Sequence, residues 1–150
     1  MRVREFQCEL WLPQPPEKIF PFFADAGNLD AITPPWLNFR IVTPQPFEMR
    51  AGALIDYKLR VRGLPLRWRT LIKEWQPPFR FVDEQLRGPY RQWLHTHTFE
   101  TRDGGTLARD VVHYAVPFDF VAHPLFVRRD IEKIFSFRQQ ALREKFGSGR

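Results

Sequence analysis

Apolar and polar side chains alternate from the start of the chain. In VREFQCELWL (residues 3–12), Phe6, Cys8, Leu10 and Leu12 share one face, and Glu5, Gln7 and Glu9 share the other. A period of two is that of a half-buried strand. PQPP stops it, and a proline suits the first turn of a helix, where its missing N–H costs nothing. EKIFPFFADAGN then carries Ile19, Phe20, Phe22 and Phe23 as an apolar stripe ending at Gly27 or Asn28. Pro21 lies inside it, so the helix is expected to be short or kinked. A second short turn, LDAIT, runs into Pro34–Pro35.

From Trp36 the pattern predicts strands again: 37–43, 53–62, 66–75, 79–85, 90–101 and 106–118. In 53–62, Ala53, Ile55, Tyr57, Leu59 and Val61 share a face; in 66–75, Leu66, Trp68, Thr70 and Ile72 point inward. GLP (63–65), PP (77–78) and DGG (103–105) mark turns. After Pro124 the period lengthens. Val127, Ile131, Ile134, Phe135, Arg138 and Leu142 recur at three and four, predicting one helix over 127–146. It is about five turns long.

Short turns between successive strands imply antiparallel pairing. A sheet with one polar face needs apolar cover on the other, and only the final helix is long enough to give it. The order therefore predicts an α+β architecture: a curved antiparallel sheet of about seven strands around the C-terminal helix, with two short helices after the first strand. Residues 1–146 are read as one domain, with GSGR (147–150) as a disordered tail.

Composition adds three constraints. Fifteen Phe and five Trp among 150 residues are enough rings to fill a large interior or line a cavity. The net charge of +6, from 23 Lys and Arg against 17 Asp and Glu, contains no run long enough for a nucleic-acid arm. The basic stripe of Lys58, Arg60, Arg62, Arg67, Arg69 and Lys73 lacks the interleaved exposed aromatics of an RNA reader, because Tyr57 and Trp68 alternate to the opposite face. No nucleic-acid partner is expected. The single cysteine, Cys8, excludes an internal disulfide and reads as a small buried strand residue. The sequence shows neither an apolar leader nor a membrane-length apolar run, so a soluble cytoplasmic protein without stable membrane insertion is expected.

Several segments then resemble a known superfamily. GPYRQWLHTHTFE, with Trp93, His95, His97 and Phe99, is followed by GGTLARDVVHYAVPF, with Gly105, Thr106, Asp110, Val112, Tyr114 and Pro117. Phe135 and Arg138 follow in the last helix. Together with LDAITPPWLNFRI and the order of elements, these resemble the SRPBCC superfamily of START domains, Bet v 1-like allergens and polyketide cyclase-like proteins. Within it the chain is most similar to a small bacterial ligand-binding branch, also labelled cell-division-inhibitor-like. The resemblance spans nearly the whole chain and implies the helix-grip fold. It leaves function open, since the superfamily includes binders, transfer proteins and some enzymes.

Strand alternation puts Trp93, His95, His97 and Phe99 on one face, and the two aromatics mark it as the concave one. Four readings of the histidines follow. As metal ligands they need a third donor, and Cys8, Asp56, Asp110 and His113 qualify by residue type only, so no metal or other cofactor is expected. As acid–base groups, His95 or His97 would pair with Asp110 on the next strand, giving a cyclase, dehydratase or hydrolase that uses His95, His97 and Asp110. As pocket residues they would orient a ligand's polar end among Tyr57, Trp68, Trp93, Phe99, Tyr114 and Phe135. As structural groups they would only tie strands to the helix. Arg138, on the apolar face of the final helix, needs a carboxylate or a ligand anion, with Asp110 as its candidate partner, unless its head reaches solvent.

The combined expectation is a domain that binds, and could transport, a hydrophobic or aromatic small molecule or lipid between sheet and final helix. Its site would comprise Tyr57, Trp68, Trp93, His95, His97, Phe99, Asp110, Tyr114, Phe135 and Arg138, with ITPPW flanking the entrance. An enzyme and a protein–protein module are the alternatives.

Overall fold

A computed structural model describes residues 2–147. Seven strands form one antiparallel sheet: β1 (Arg4–Leu12), β2 (Arg40–Ile41), β3 (Leu54–Val61), β4 (Leu64–Gln76), β5 (Arg80–Arg87), β6 (Gln92–Arg102) and β7 (Gly105–Ala115). Their spatial order is β1-β7-β6-β5-β4-β3-β2. The first strand therefore pairs with the last, and β1 and β2 are opposite edges. Helix α1 (Pro16–Ala24) and two 3-10 turns (Ala26–Ile32 and Pro35–Leu37) carry the chain from one edge to the other. After β7, α2 (Asp119–Ala122), a π turn (His123–Val127) and α3 (Arg128–Phe146) make one continuous helical run.

Two hairpins close in two residues each. Arg62–Gly63 and Asp103–Gly104 all have positive φ, between 50° and 82°. Turns of this hand match the twist of the flanking strands, and glycine supplies the second position without strain. The inward faces follow the predicted alternation: Ile55 and Leu59 on β3, Thr70 and Ile72 on β4, and His95, His97 and Phe99 on β6 are all buried. Helix α3 lies across this concave face and buries Ile131, Phe135 and Leu142. Phe135 meets Phe6 of β1 with ring centroids 5.0 Å apart and His95 of β6 at 5.4 Å. At one end α1 inserts Ile19, Phe20 and Phe23 against Phe81, Phe99 and Leu142.

The boundaries differ from the expected ones for local reasons. The strand expected at 37–43 shrinks to Arg40–Ile41, because Pro35–Leu37 forms a turn that Asn38 leaves in the left-handed region at φ 46°. The strand expected to reach 118 ends at Ala115. Pro117 follows with no N–H to donate, and Phe118 turns the chain at φ 54°. Helical structure accordingly starts at Asp119 rather than 127, and widens to a π turn around Pro124. Pro21 is accommodated inside the nine-residue α1. Gly147 caps α3 at φ 92°. The remainder of the expected tail, 148–150, lies outside the described residues.

Candidate functional site

The sheet, α3 and the 3-10 turns enclose a cavity of about 1340 Å³ that opens beside Trp36. Strand faces supply part of its wall. Tyr57 and Trp68 project from paired positions of β3 and β4. Trp93 of β6 meets Trp68 edge-on at 5.5 Å and Tyr90 at 4.7 Å. From α3 come Ile134, Phe135 and Arg138.

A buried polar cluster closes the inner end. β5 and β6 pair so that Asp83 faces His95 and Phe81 faces His97; β6 and β7 pair so that His97 faces Asp110. His95 Nε2 lies 2.7 Å from Asp110 Oδ1, and His97 Nε2 lies 2.6 Å from Asp83 Oδ2. The two imidazoles stack at 3.6 Å, and Phe81 stacks on His97 at 3.8 Å. Arg138 reaches down from α3 with one guanidinium nitrogen 3.2 Å from His97 Nδ1 and 3.6 Å from Asp110 Oδ1.

These contacts assign the protons. Arg138 can only donate, so His97 Nδ1 accepts and its Nε2–H donates to Asp83. His95 Nε2–H donates to Asp110, which leaves His95 Nδ1 with a lone pair 3.8 Å from Asp83 Oδ2. For His97 the electrostatics agree. Burial holds His97 well below the ordinary imidazole value, and His95 and Arg138 beside it add to this. Burial opposes ionisation of Asp110, but Arg138, the His95 hydrogen bond and both imidazoles outweigh it and keep the carboxyl below its usual range. Asp83 goes the other way: burial pushes it up, and the pull of His95 and Arg138 does not compensate. Burial likewise pushes the Cys8 thiol up to about 12, which makes it an inert neighbour of Asp110.

Among the described residues, Arg138 Nε is buried without a hydrogen-bond partner. Its guanidinium carbon sits 5.3 Å from the centre of the Phe23 ring.

Asp83, His95 and His97 bring donor atoms within 4.8 Å of one another, a set that could in principle hold a metal. The imidazole planes, however, lie only 25° apart and face to face. Their in-plane lone pairs therefore run side by side instead of meeting at one point, as a tetrahedral site requires. The arrangement suits hydrogen bonding and proton transfer better.

Of the residues singled out from sequence, Tyr57, Trp68, Trp93, His95, His97, Phe135 and Arg138 line the cavity. Three others do not. Phe99 is 3% exposed under Phe20 and Phe23, because α1 covers that end of β6. Tyr114 is buried in the core with its hydroxyl 2.7 Å from His123 Nε2. Asp110 stands one layer back, behind the imidazoles. Among the alternative third donors, Asp56 pairs with Arg69 and His113 with Glu5, both away from the cluster. Sequence reasoning missed Asp83 and Tyr90. The alternation of Phe81 and Asp83 in FRFVDEQ was the available signal for Asp83.

Residues 12–143 match the protein family described as polyketide cyclase / dehydrase and lipid transport, and the chain belongs to that family. It falls within the wider SRPBCC and Bet v 1-like superfamily that its motifs resemble. No curated protein matches the chain. Solved structures share the fold. Major latex-like protein 151 of Panax ginseng aligns at TM-score 0.72 and 9% identity, over 96% of this chain and 97% of that one. Protein Ms6760 of Mycobacterium smegmatis aligns at 0.67 and 18% identity, over 95% and 94%. A nucleoside-diphosphate sugar epimerase of Corynebacterium glutamicum aligns at 0.67 and 25% identity, over 93% of this chain but 28% of that one.

Proposed function

We propose that the protein binds a hydrophobic or aromatic small molecule, or a lipid, whose polar end is a hydroxyl or carbonyl group seated against the histidine cluster. The observation that carries this reading is a cavity of about 1340 Å³ with aromatic walls and one buried polar end. That is the usual build of a ligand pocket: apolar area for affinity and a few fixed polar groups for orientation. The cluster offers complementary partners. The His95 Nδ1 lone pair and the Asp83 carboxylate can take a hydroxyl proton, and Arg138, which lines the cavity, can donate to an oxygen. The family's description includes lipid transport, which agrees with such a cargo.

Native mass spectrometry of freshly purified protein tests this directly. A co-purified non-protein mass is expected, diminished in Trp93→Ala through loss of apolar wall and in His97→Phe through loss of the polar end. Equal retention by both variants would overturn the site.

A second reading is favoured by one specific contact. Asp110 orients His95 through a 2.7 Å hydrogen bond, so His95 Nδ1 could serve as a base toward a bound hydroxyl or an acidic C–H. If the protein eliminates water in this way, the ligand captured by Asp110→Asn should be heavier by one water than that captured by the wild type. Identical captured masses leave the binding reading alone.

A further inference from the structure

The helical run after β7 leaves an unusual set of side chains in solvent. Phe118 and Phe120 are 76% and 80% exposed, and Leu125 and Phe126 are 57% and 45% exposed. The tip of the β3–β4 hairpin continues this surface. Arg62 at the tip stands 4.7 Å from the Phe126 ring centre and is ion-paired with Asp130 at 2.8 Å, and its neighbour Leu64 is 67% exposed. Side chains this bare project from the surface, and they are large and apolar. Scattered apolar exposure is ordinary, but a contiguous group of this kind marks an interaction surface.

Two further features define the partner. The first is position. The same hairpin tip and the same helical run form one rim of the cavity, through Val61, Arg62, Ala122 and Val127, with Trp36 on the rim as well, 54% exposed. The second is charge. Of the nearby carboxylates, Asp119 is paired with Arg4 and Asp130 with Arg62. This leaves Arg60, Arg128, Arg129 and Lys133, all exposed, against Glu132.

We propose that this rim is a docking face for an anionic bilayer surface. Phe118, Phe120, Leu125 and Phe126 would reach the headgroup–acyl boundary, and the arginines and Lys133 would remain at headgroup level. Protruding rings within a cationic border match that boundary, where apolar burial and attraction to anionic lipid act together. A second copy of the chain would instead have to offer hollows for several isolated knobs. The docked orientation turns the cavity mouth toward the acyl chains, so a lipophilic ligand could pass between bilayer and cavity without crossing water. This last step rests on the proposed binding function; the docking itself does not. No helix of the described residues is long and apolar enough to cross a membrane, so the contact is peripheral.

Flotation of the full chain with phosphatidylcholine vesicles, with and without phosphatidylglycerol, tests the proposal. Binding is expected to the anionic vesicles only, and to weaken as salt is raised. The double variant Phe120→Ser/Phe126→Ser should lower vesicle affinity on the order of 100-fold, since two aromatic side chains no longer leave water. Arg128→Gln/Arg129→Gln should lower it about 30-fold. All four positions are exposed, and circular dichroism should show unchanged folding. Absence of vesicle binding by folded wild-type protein overturns the proposal. So does binding that the double variants leave intact, or a concentration-dependent dimer that Phe120→Ser/Phe126→Ser abolishes. Retention of the co-purified mass in these variants separates the two claims. Docking lost with cargo kept supports the docking face, whereas docking present with no cargo in any form overturns the binding function alone.

Discussion

The two ends of strand β6 present one sequence pattern to two different environments. Phe99 and Trp93 lie on the same face, six residues apart, with His97 and His95 between them. Around Phe99 the space is full: Phe20 and Phe23 of α1 reach it from above at 5.4 and 5.1 Å, and Phe81 flanks it. Trp93 touches Trp68, Tyr90 and, more distantly, Tyr114, and the rest of its ring faces open cavity. The difference is supplied by α1, which covers one end of the concave face and stops at Ala24. Alternation decides which side chains point inward. Whether an inward side chain becomes core or pocket wall depends on what a distant part of the chain places over it.

Substitutions at the closed end should act on stability alone. Phe99→Ala removes a fully buried ring from a close-packed cluster and should cost about 3–5 kcal/mol. Chemical denaturation measures this, and the fraction that remains folded should still carry its co-purified ligand. Loss of ligand at unchanged stability would place Phe99 in the pocket and remove the distinction. At the open end the balance reverses. Trp93 keeps part of its surface beside the cavity, so Trp93→Ala should cost about 1.5–3 kcal/mol of stability. It should also lower ligand occupancy measured by native mass spectrometry.

The fold was legible because its main signals are local. Seven period-two runs, turn residues at the hairpins and a single switch to helical period gave the sheet and its covering helix directly. The second strand failed because Pro35 and Asn38 bend the backbone where the apolar pattern alone suggested extension. The site was half legible. His95 and His97 announced themselves, and Arg138 stood out as a cation on an apolar helix face. Asp83 did not, because its role comes from pairing register: only the alignment of β5 with β6 sets it opposite His95. Tyr90 sits just before β6 and reaches the wall from a loop, where no periodicity guides a reading.

The cluster between the two ends predicts a pH dependence. His97 is harder to protonate in the fold than in the unfolded chain, because burial disfavours its charged form. Below about pH 6.5 the unfolded chain takes up that proton first. Stability should therefore fall with pH, by up to about 1.4 kcal/mol per unit, until the folded imidazole itself titrates. Asp110, held ionised, adds a loss of the same sign at more acid pH, as it is protonated below the usual carboxylate range. Asp83 acts oppositely: its raised value contributes stability in acid that is lost as pH rises through the folded value. Denaturation midpoints at about pH 7.5 and 5.5 should show the wild type less stable at the lower value, with the slope reduced in His97→Phe. An unchanged slope in that variant would mean that His97 is not the group responsible.

The smallest effect tests the boundary of the pocket from behind. Tyr114 lies on the inward face of β7, near Trp93 with ring centroids 6.4 Å apart, yet it does not line the cavity. Its hydroxyl is taken up by His123 in the π turn at 2.7 Å. Burial lowers the His123 value, so the neutral ring, with Nε2 accepting the tyrosine proton, is the form the contact favours. Tyr114→Phe keeps the ring and removes only that bond, which should cost about 0.5–1.5 kcal/mol in a denaturation midpoint. Ligand occupancy should not change, because the cavity wall keeps every atom it had. A clear drop in occupancy would show that the π turn and the pocket are coupled through Tyr114. The division of the concave face would then run along α3 and its preceding turn, and not between the two ends of β6.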